Sequence, residues 1–271
     1  MGYQALRRIV LAAYAIAIVI PLTVVVFGTF KDTAELFANP FALPSSFALT
    51  NYDIVLTEQN LGRVFLNSVI VTASSVLLTL LIASMAAYAA SRIHGWRGWL
   101  IYGFLVLGMS VPAQTNMIPQ YVQFQRIGLL DSLLGLILIN IIVTLPVAVF
   151  ILGAFMRTLP KEIYEATAID GAGPWRTYWA VVMPLSMPSV AATGIFLFVI
   201  HWNELLYPLL FISSPEKRTL PVALLDFQGE FLTNYPLLFT GVLIASFPVV
   251  ITYLVLQRYF VQGITAGAVK G

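Results

Sequence analysis

Between Arg157 and Pro188 the chain gathers its most informative residues. Glu165-Ala166-Thr167 is followed by Asp170-Gly171-Ala172 and then by Pro184. What this pattern can do is dock rather than react. Pro160 and Glu162 mark a helix start, because proline fits the first turn and an acid favours the positive end of the helix dipole. The short helix then runs to about Ile169. Ile163, Ala166, Thr167 and Asp170 fall at i, i+3, i+4 and i+7, on one face whose middle is made of small side chains. Such a face can enter a cleft closely. Asp170-Gly171 supplies a turn, since glycine tolerates positive φ and aspartate can bond the local backbone. Gly173-Pro174 restarts a helix through Trp175, Tyr178 and Val182, before Pro184 and Pro188 lead into the next apolar run. The expectation is helix, elbow, helix over residues 160–184, within a connecting segment 157–187.

Elsewhere the residues able to do chemistry are sparse. There is no cysteine, so disulfides, thiolate metal sites and cysteine nucleophiles are excluded. Lys31, Lys161, Lys217 and Lys270 follow Phe, Pro, Glu and Val, so none completes a phosphate-cradling Gly-x-x-x-x-Gly-Lys-Ser/Thr loop. Any ATP chemistry must occur on another polypeptide. His94 and His201 are the two histidines, no His-Glu-x-x-His helix exists, and His201 is not taken as a ligand. Glu204 lies in an apolar stretch, where an ionised carboxylate at mid-membrane costs about 2.5 kcal/mol or more. It stands 16 residues beyond Pro188, roughly 24 Å along a helix and so near one interface. Two roles stay open for it: capping or pairing near Pro208, or a place with Asn203 in a pathway or gate. Asn140 and Thr144 lie one helical turn apart near mid-membrane, and Gln114, Asn116, Gln120 and Gln123 cluster upstream. These could face a hydrophilic path or act as glue between helices.

The elements that must position these residues are membrane spans. Of 271 residues 59% are hydrophobic and 10% charged, against roughly 25% charged in a soluble domain. Uncharged runs cover residues 9–30, 64–91, 98–125, 132–156, 177–203 and 231–257. A helix needs about 20 residues to cross a ~30 Å hydrocarbon core. The chain is therefore predicted to be an all-α membrane protein with six spans, at about 9–30, 66–91, 99–121, 132–156, 188–210 and 235–258, forming one domain over 1–271. The first run is longer than the ~7–15 residues of a signal-peptide core, so it reads as a span.

Lysine and arginine concentrate on the cytoplasmic side of short loops. One side collects Arg7, Arg8, Arg92, Arg97, Arg157, Lys161, Arg176, Arg258 and Lys270, nine in all, while the other holds five. Both termini and the elbow are then cytoplasmic. The outer side carries eight acids, so the net charge of +2 hides an asymmetry and implies no nucleic-acid partner. The outer segment 31–63, with Asn39-Pro40 and Pro44-Ser45-Ser46, reads as a small structured cap. Ser84, Ala86, Ala87, Ala89, Ala90 and Ser91 form a small-residue stretch suited to close helix packing.

With those spans in place, the elbow resembles the Glu-Ala-Ala loop of ABC importer permeases. Glu165-Ala166-Thr167, Asp170-Gly171-Ala172 and Pro184 keep its spacing, with Thr167 where Ala is usual and Tyr178 where Phe is common. Trp202-Asn203-Glu204 with Pro208-Leu209, Asn51-Tyr52 and the tail from Phe260 to Gly271 resemble the carbohydrate-importer branch, in particular its MalG-like subunits. The resemblance implies the ABC importer permease fold and a transport subunit without catalysis of its own, carrying a sugar or sugar derivative. It makes the elbow the coupling helix, with Glu165 contacting an ATPase, Ala166 packing in its groove and Gly171 allowing the turn. It sends the tail, with Gln262, Gly263, Thr265 and Gly267, toward the ATPase. The implied partners are a second, MalF-like permease chain, two ATPase subunits holding ATP and Mg, and an extracytoplasmic solute-binding protein, in a bacterial or archaeal cytoplasmic membrane. The rival readings are an ion-coupled secondary transporter and a membrane enzyme. The first should show buried acids or repeated halves, and the second clustered ionisable residues at one bilayer face.

Overall fold

A computed structural model describes residues 2–58, 60–93, 95–227 and 233–268, with residues 2, 58 and 256–268 in backbone only. Among them the chain is helical. The first part carries α1 (Gly2–Gly28), α2 (Thr33–Ala38), α3 (Thr50–Asp53) and α4 (Leu61–Arg92). The middle carries α5 (Trp96–Val106), α6 (Ala113–Arg126), α7 (Leu133–Met156) and α8 (Lys161–Ile169). The last part carries α9 (Pro174–Thr177), α10 (Met183–Trp202), α11 (Leu206–Phe211), α12 (Leu220–Ala223) and α13 (Tyr235–Ala268). Among the described residues, five helical stretches are long and apolar enough to cross a membrane: Tyr3–Gly28, Leu61–Arg92, Leu133–Met156, Pro174–Trp202 and Tyr235–Val255.

The expected third span, 99–121, is not one helix. α5 passes into a tight 3-10 turn, Leu107–Ser110, and stops at Val111, whose φ of −102° and ψ of 118° are extended. The cause is Pro112, which pushes the residue before it out of helical conformation. Pro112 then precedes α6. The elbow also differs at its far end. Pro184 was expected to precede the next span, yet Pro174–Trp202 is one helical stretch with Pro184 inside it. A wide π turn, Tyr178–Val182, lies immediately before that proline, and the Met183 N–H bonds the Tyr178 carbonyl five residues back. Proline lacks the N–H that an α-turn needs and crowds the carbonyl four residues back. The widened turn relieves that conflict without ending the helix.

The chain divides into two compact units, Met1–Leu66 with Thr219–Pro248, and Asn67–Arg218 with Val249–Gly271. In the first, the 31–63 segment is a folded cap as expected. Lys31 is 1% exposed, and its Nζ donates to the carbonyls of Asn39 at 2.8 Å, Ala42 at 2.6 Å and Pro40 at 3.4 Å. Asn51 Nδ2 donates to the Thr29 and Lys31 carbonyls at 2.8 and 2.9 Å, and Tyr52 shares a 2.9 Å bond with Thr29 Oγ1. Asn51-Tyr52 thus closes the cap onto the end of α1. Asp32 caps α2 through the Glu35 N–H at 2.7 Å.

The second unit is built around α7. One apolar cluster joins Ala83, Ala87 and Tyr88 of α4 to Val149, Leu152 and Met156 of α7 and to Tyr178 and Val182. Another joins Leu136 and Ile139 of α7 to Phe124 of α6 and to Tyr207 and Phe211 of α11. Within the small-residue stretch, Ser84, Ala87 and Ala90 are buried. Ser84 Oγ shares a 2.7 Å hydrogen bond with the Tyr178 hydroxyl, so α4 holds the π turn directly.

Candidate functional site

The elbow forms as its residues require. α8 ends at Asp170, and Gly171 follows at φ 70°, the left-handed conformation that glycine adopts without steric cost. The Ala172 N–H bonds the Thr167 carbonyl at 2.9 Å and the Gly171 N–H bonds the Ala168 carbonyl at 3.1 Å. This pair of bonds satisfies carbonyls that a helix end otherwise leaves open. Gly173 then leads into Pro174 at the start of α9. Glu165, Ala166 and Asp170 are exposed, and so is Ala168.

The face expected to enter a cleft is corrected in one respect. Thr167 is buried, and its Oγ1 donates to the Tyr164 carbonyl at 2.8 Å. Ile163 is half-buried, whereas Ile169 is 86% exposed. The outward stripe is therefore Glu162, Ala166 and Ile169, with Glu165 beside it, and Thr167 packs inward. The helical spacing was right, but the face was centred too far round, because two small residues in sequence do not say which of them faces the bundle. Tyr164 fixes that choice: its ring lies under the Arg92 guanidinium at 5.3 Å, and burial pushes its hydroxyl pKa up.

The polar residues of the spans come together, but in the interior of the unit. Asn140 and Thr144 are 5% and 4% exposed. Asn140 Nδ2 donates to Ser75 Oγ at 3.4 Å, Thr144 Oγ1 donates to the Asn140 carbonyl at 2.7 Å, and Thr144 Oγ1 meets His201 Nε2 at 3.3 Å. These bonds join α4, α7 and α10. Glu204 is half-buried and performs the capping role. Its Oε1 accepts from the N–H groups of Leu206 at 2.9 Å and Tyr207 at 3.2 Å, at the start of α11. Asn203 is exposed and donates back to the Val199 carbonyl at 2.8 Å. Of the upstream amides, Gln120 Oε1 accepts from the Tyr207 hydroxyl at 2.7 Å.

This arrangement of an exposed elbow on an apolar helical chain is matched by known proteins. The family described as binding-protein-dependent transport system inner membrane component matches residues 79–266, which include the elbow. The chain belongs to that family. Among relatives of this permease, the diacetylchitobiose uptake system permease protein NgcG of Streptomyces coelicolor is 33% identical, over 99% of this chain and 89% of its own. The melibiose/raffinose/stachyose import permease protein MelC of Bacillus subtilis is 31% identical, over 99% and 98%. A chain from the crystal structure of a bacterial ABC transporter that imports the acidic polysaccharide alginate superposes with a TM-score of 0.82 over 95% of the permease and 96% of that chain, at 21% identity. The permease is thus a multi-pass membrane component of an ABC importer that works with a binding protein. It is a transport subunit rather than an enzyme, and the ion-coupled alternative falls away.

Gln262, Gly263, Thr265 and Gly267 fall in the last turns of α13, whose backbone is helical to Ala268. Their side chains lie outside the described residues, as do His94, Glu230 and Lys270. Two features of the permease escaped sequence reading. Asp131, at φ 50°, accepts from the Ser213 and Ser214 N–H groups at 3.1 and 2.9 Å, from the Ser214 hydroxyl, and from Lys217 Nζ at 3.0 Å. The Ser214 hydroxyl, its N–H and the Lys217 ammonium together hold the Asp131 carboxyl well below the usual carboxylate range. Arg157 donates through Nη2 to the Gly98 carbonyl at 3.1 Å and sits over the rings of Trp99 at 4.6 Å and Tyr102 at 4.2 Å. A Cβ on Gly153 would strike the Tyr102 ring. No short-range pattern links Asp131 to Lys217, 86 residues on, or Gly98 to Arg157, 59 residues on.

Proposed function

We propose that this permease forms half of the transmembrane path of a carbohydrate importer in a bacterial or archaeal cytoplasmic membrane. It crosses six times as one membrane domain, with both termini cytoplasmic. The third crossing is shared by α5 and α6, whose 11 and 14 residues together exceed the ~30 Å core at 1.5 Å per residue. A second permease chain, MalF-like, supplies the other half. Two ATPase subunits carry ATP and Mg and bind the elbows, and a solute-binding protein docks outside. The sugar cargo rests on the relatives, which import diacetylchitobiose in one case and melibiose, raffinose and stachyose in another.

The elbow carries this reading. A nine-residue helix, closed at Gly171 and presenting Glu162, Glu165, Ala166 and Ile169 outward, is joined at both ends to helices long enough to span. A push on it is passed to α7 on one side and to Pro174–Trp202 on the other. Alternating access follows as rocking between two states biased by ATP and by the loaded binding protein. Pro184 contributes by keeping the wide turn at the root of the second arm.

Gly171→Trp tests the proposal. Open space surrounds Gly171, so the chain should still insert in normal amount, while uptake of labelled sugar and the ATPase response to loaded binding protein both disappear. Unchanged uptake in a variant shown to be inserted would refute the coupling role.

A further inference from the structure

Beside the outward stripe of the elbow, and sharing Glu165 with its edge, lies a cavity of about 410 Å³ lined by Ser91, Arg92, Met156, Arg157, Leu159, Lys161, Tyr164, Glu165 and Ala168. That volume is within the usual range for small-ligand pockets. Its floor is the ends of α4 and α7, where Arg92 is the last residue of one and Arg157 follows the other. Its wall is the stripe Lys161, Tyr164, Glu165 and Ala168 of α8. The outward stripe of Glu162, Ala166 and Ile169 sits roughly a third of a turn away.

The charge in this cavity is unbalanced. Arg92, Arg157 and Lys161 face one carboxylate, Glu165, and none of the four makes a salt bridge within the described residues. Arg157 Nε is a buried donor without a hydrogen-bond partner among the described residues, and buried donors in native proteins are ordinarily satisfied. The rings of Tyr102, Trp99 and Tyr164 fix the two guanidinium planes. Their forks are thereby preorganised for the oxygens of a tetrahedral or planar anion. Trp96 and Trp99 nearby are 70% and 66% exposed, as expected of aromatic side chains at a membrane interface.

We propose that this cavity binds a phosphate group, held by Arg92, Arg157 and Lys161. Basic pockets between spans on the cytoplasmic side suit anionic lipid headgroups, and a free phosphate ester offers the same oxygens. In either case the occupant bridges the elbow to the ends of α4 and α7. The permease then transmits a push best when its membrane or its cytoplasm supplies that anion.

The full-length chain, purified in neutral detergent and stripped of lipid, tests this. Short-chain phosphatidylglycerol, short-chain phosphatidylcholine and inorganic phosphate are titrated separately, following the thermal unfolding midpoint and tryptophan fluorescence. Phosphatidylglycerol should raise the midpoint saturably, at concentrations at least tenfold below phosphatidylcholine. In Arg92→Gln/Lys161→Gln the affinity should fall at least tenfold, and in Arg126→Gln it should not change. Arg157 is left intact there because its ring contacts support the fold. If inorganic phosphate saturates the site and competes with the lipid, the soluble ester is the source; if it does not compete, the headgroup is. Equal responses to the two lipids, or an undiminished response in the double variant, would overturn the proposal. The readout involves neither transport nor ATP hydrolysis, so it fails or succeeds independently of the coupling assignment.

Discussion

Glu204 shows what structural part a carboxylate in an apolar run can play: its Oε1 accepts from the first N–H groups of α11. Helix-cap removal costs about 0.5–2 kcal/mol. Glu204→Ala should therefore lower thermal stability by an amount in that range. Glu204→Gln keeps an acceptor oxygen and should retain most stability and uptake. Strong loss of uptake in the glutamine variant alone would point back to the charge. Gly171 gives a second graded series. A non-glycine residue held in left-handed geometry costs roughly 1–2 kcal/mol, and asparagine tolerates it best. Gly171→Asn should couple better than Gly171→Ala, read as uptake per inserted molecule. The turn itself was legible, because Asp-Gly before Gly-Pro has few other conformations. The side of α8 that each small residue would occupy was not, since Thr167 turns inward through packing with residues distant in sequence.

Among the elements, the two departures from expectation both involve proline. Counting uncharged residues made 99–121 a single span because the count is blind to Val111-Pro112. Reading Pro184 as a helix start missed that a π turn can absorb a proline inside a continuing helix. In each case the local rule was available, but only tertiary packing decides between a break and a bulge. The π turn at Tyr178–Val182 is pinned by the buried bond from Tyr178 to Ser84. Tyr178→Phe removes it, and a net cost of about 1 kcal/mol is expected. Tyr178→Ala also opens a cavity, for about 3–5 kcal/mol by analogy with other large aromatic truncations. Chemical denaturation in detergent distinguishes the two. A phenylalanine variant as damaged as the alanine variant would mean that the hydroxyl, and not the ring, holds the turn.

Across the whole molecule the proposed six-crossing arrangement makes a simple demand: a reporter active only outside the cytoplasm should be silent at either terminus and active when inserted near Asn39. The Asp131 clasp also carries a pH signature. Because the folded Asp131 carboxyl ionises well below its usual value, its clasp with Ser214 and Lys217 contributes stability in full above the ordinary carboxylate range. That contribution fades as pH falls below about 4, the unfolded value. Unfolding midpoints of the wild type and Asp131→Asn should differ by a constant amount above pH 5 and converge in acid. Parallel curves down to pH 3 would count against the clasp. That the chain is helical, with several apolar stretches long enough to span, could be read from composition. The clasp could not, because its partners meet only after several helices have packed.

Lys31 has a practical bearing on how such a topology is mapped. Its ammonium is enclosed by the carbonyls of Asn39, Pro40 and Ala42, and an amine must shed its proton and reach the electrophile to be acylated. An impermeant ester applied from outside should therefore spare Lys31 and mark Lys217, whose side chain is 40% exposed. A lysine-footprinting map that scored Lys31 by its silence would, under the proposed topology, assign residues 31–63 to the wrong face of the membrane.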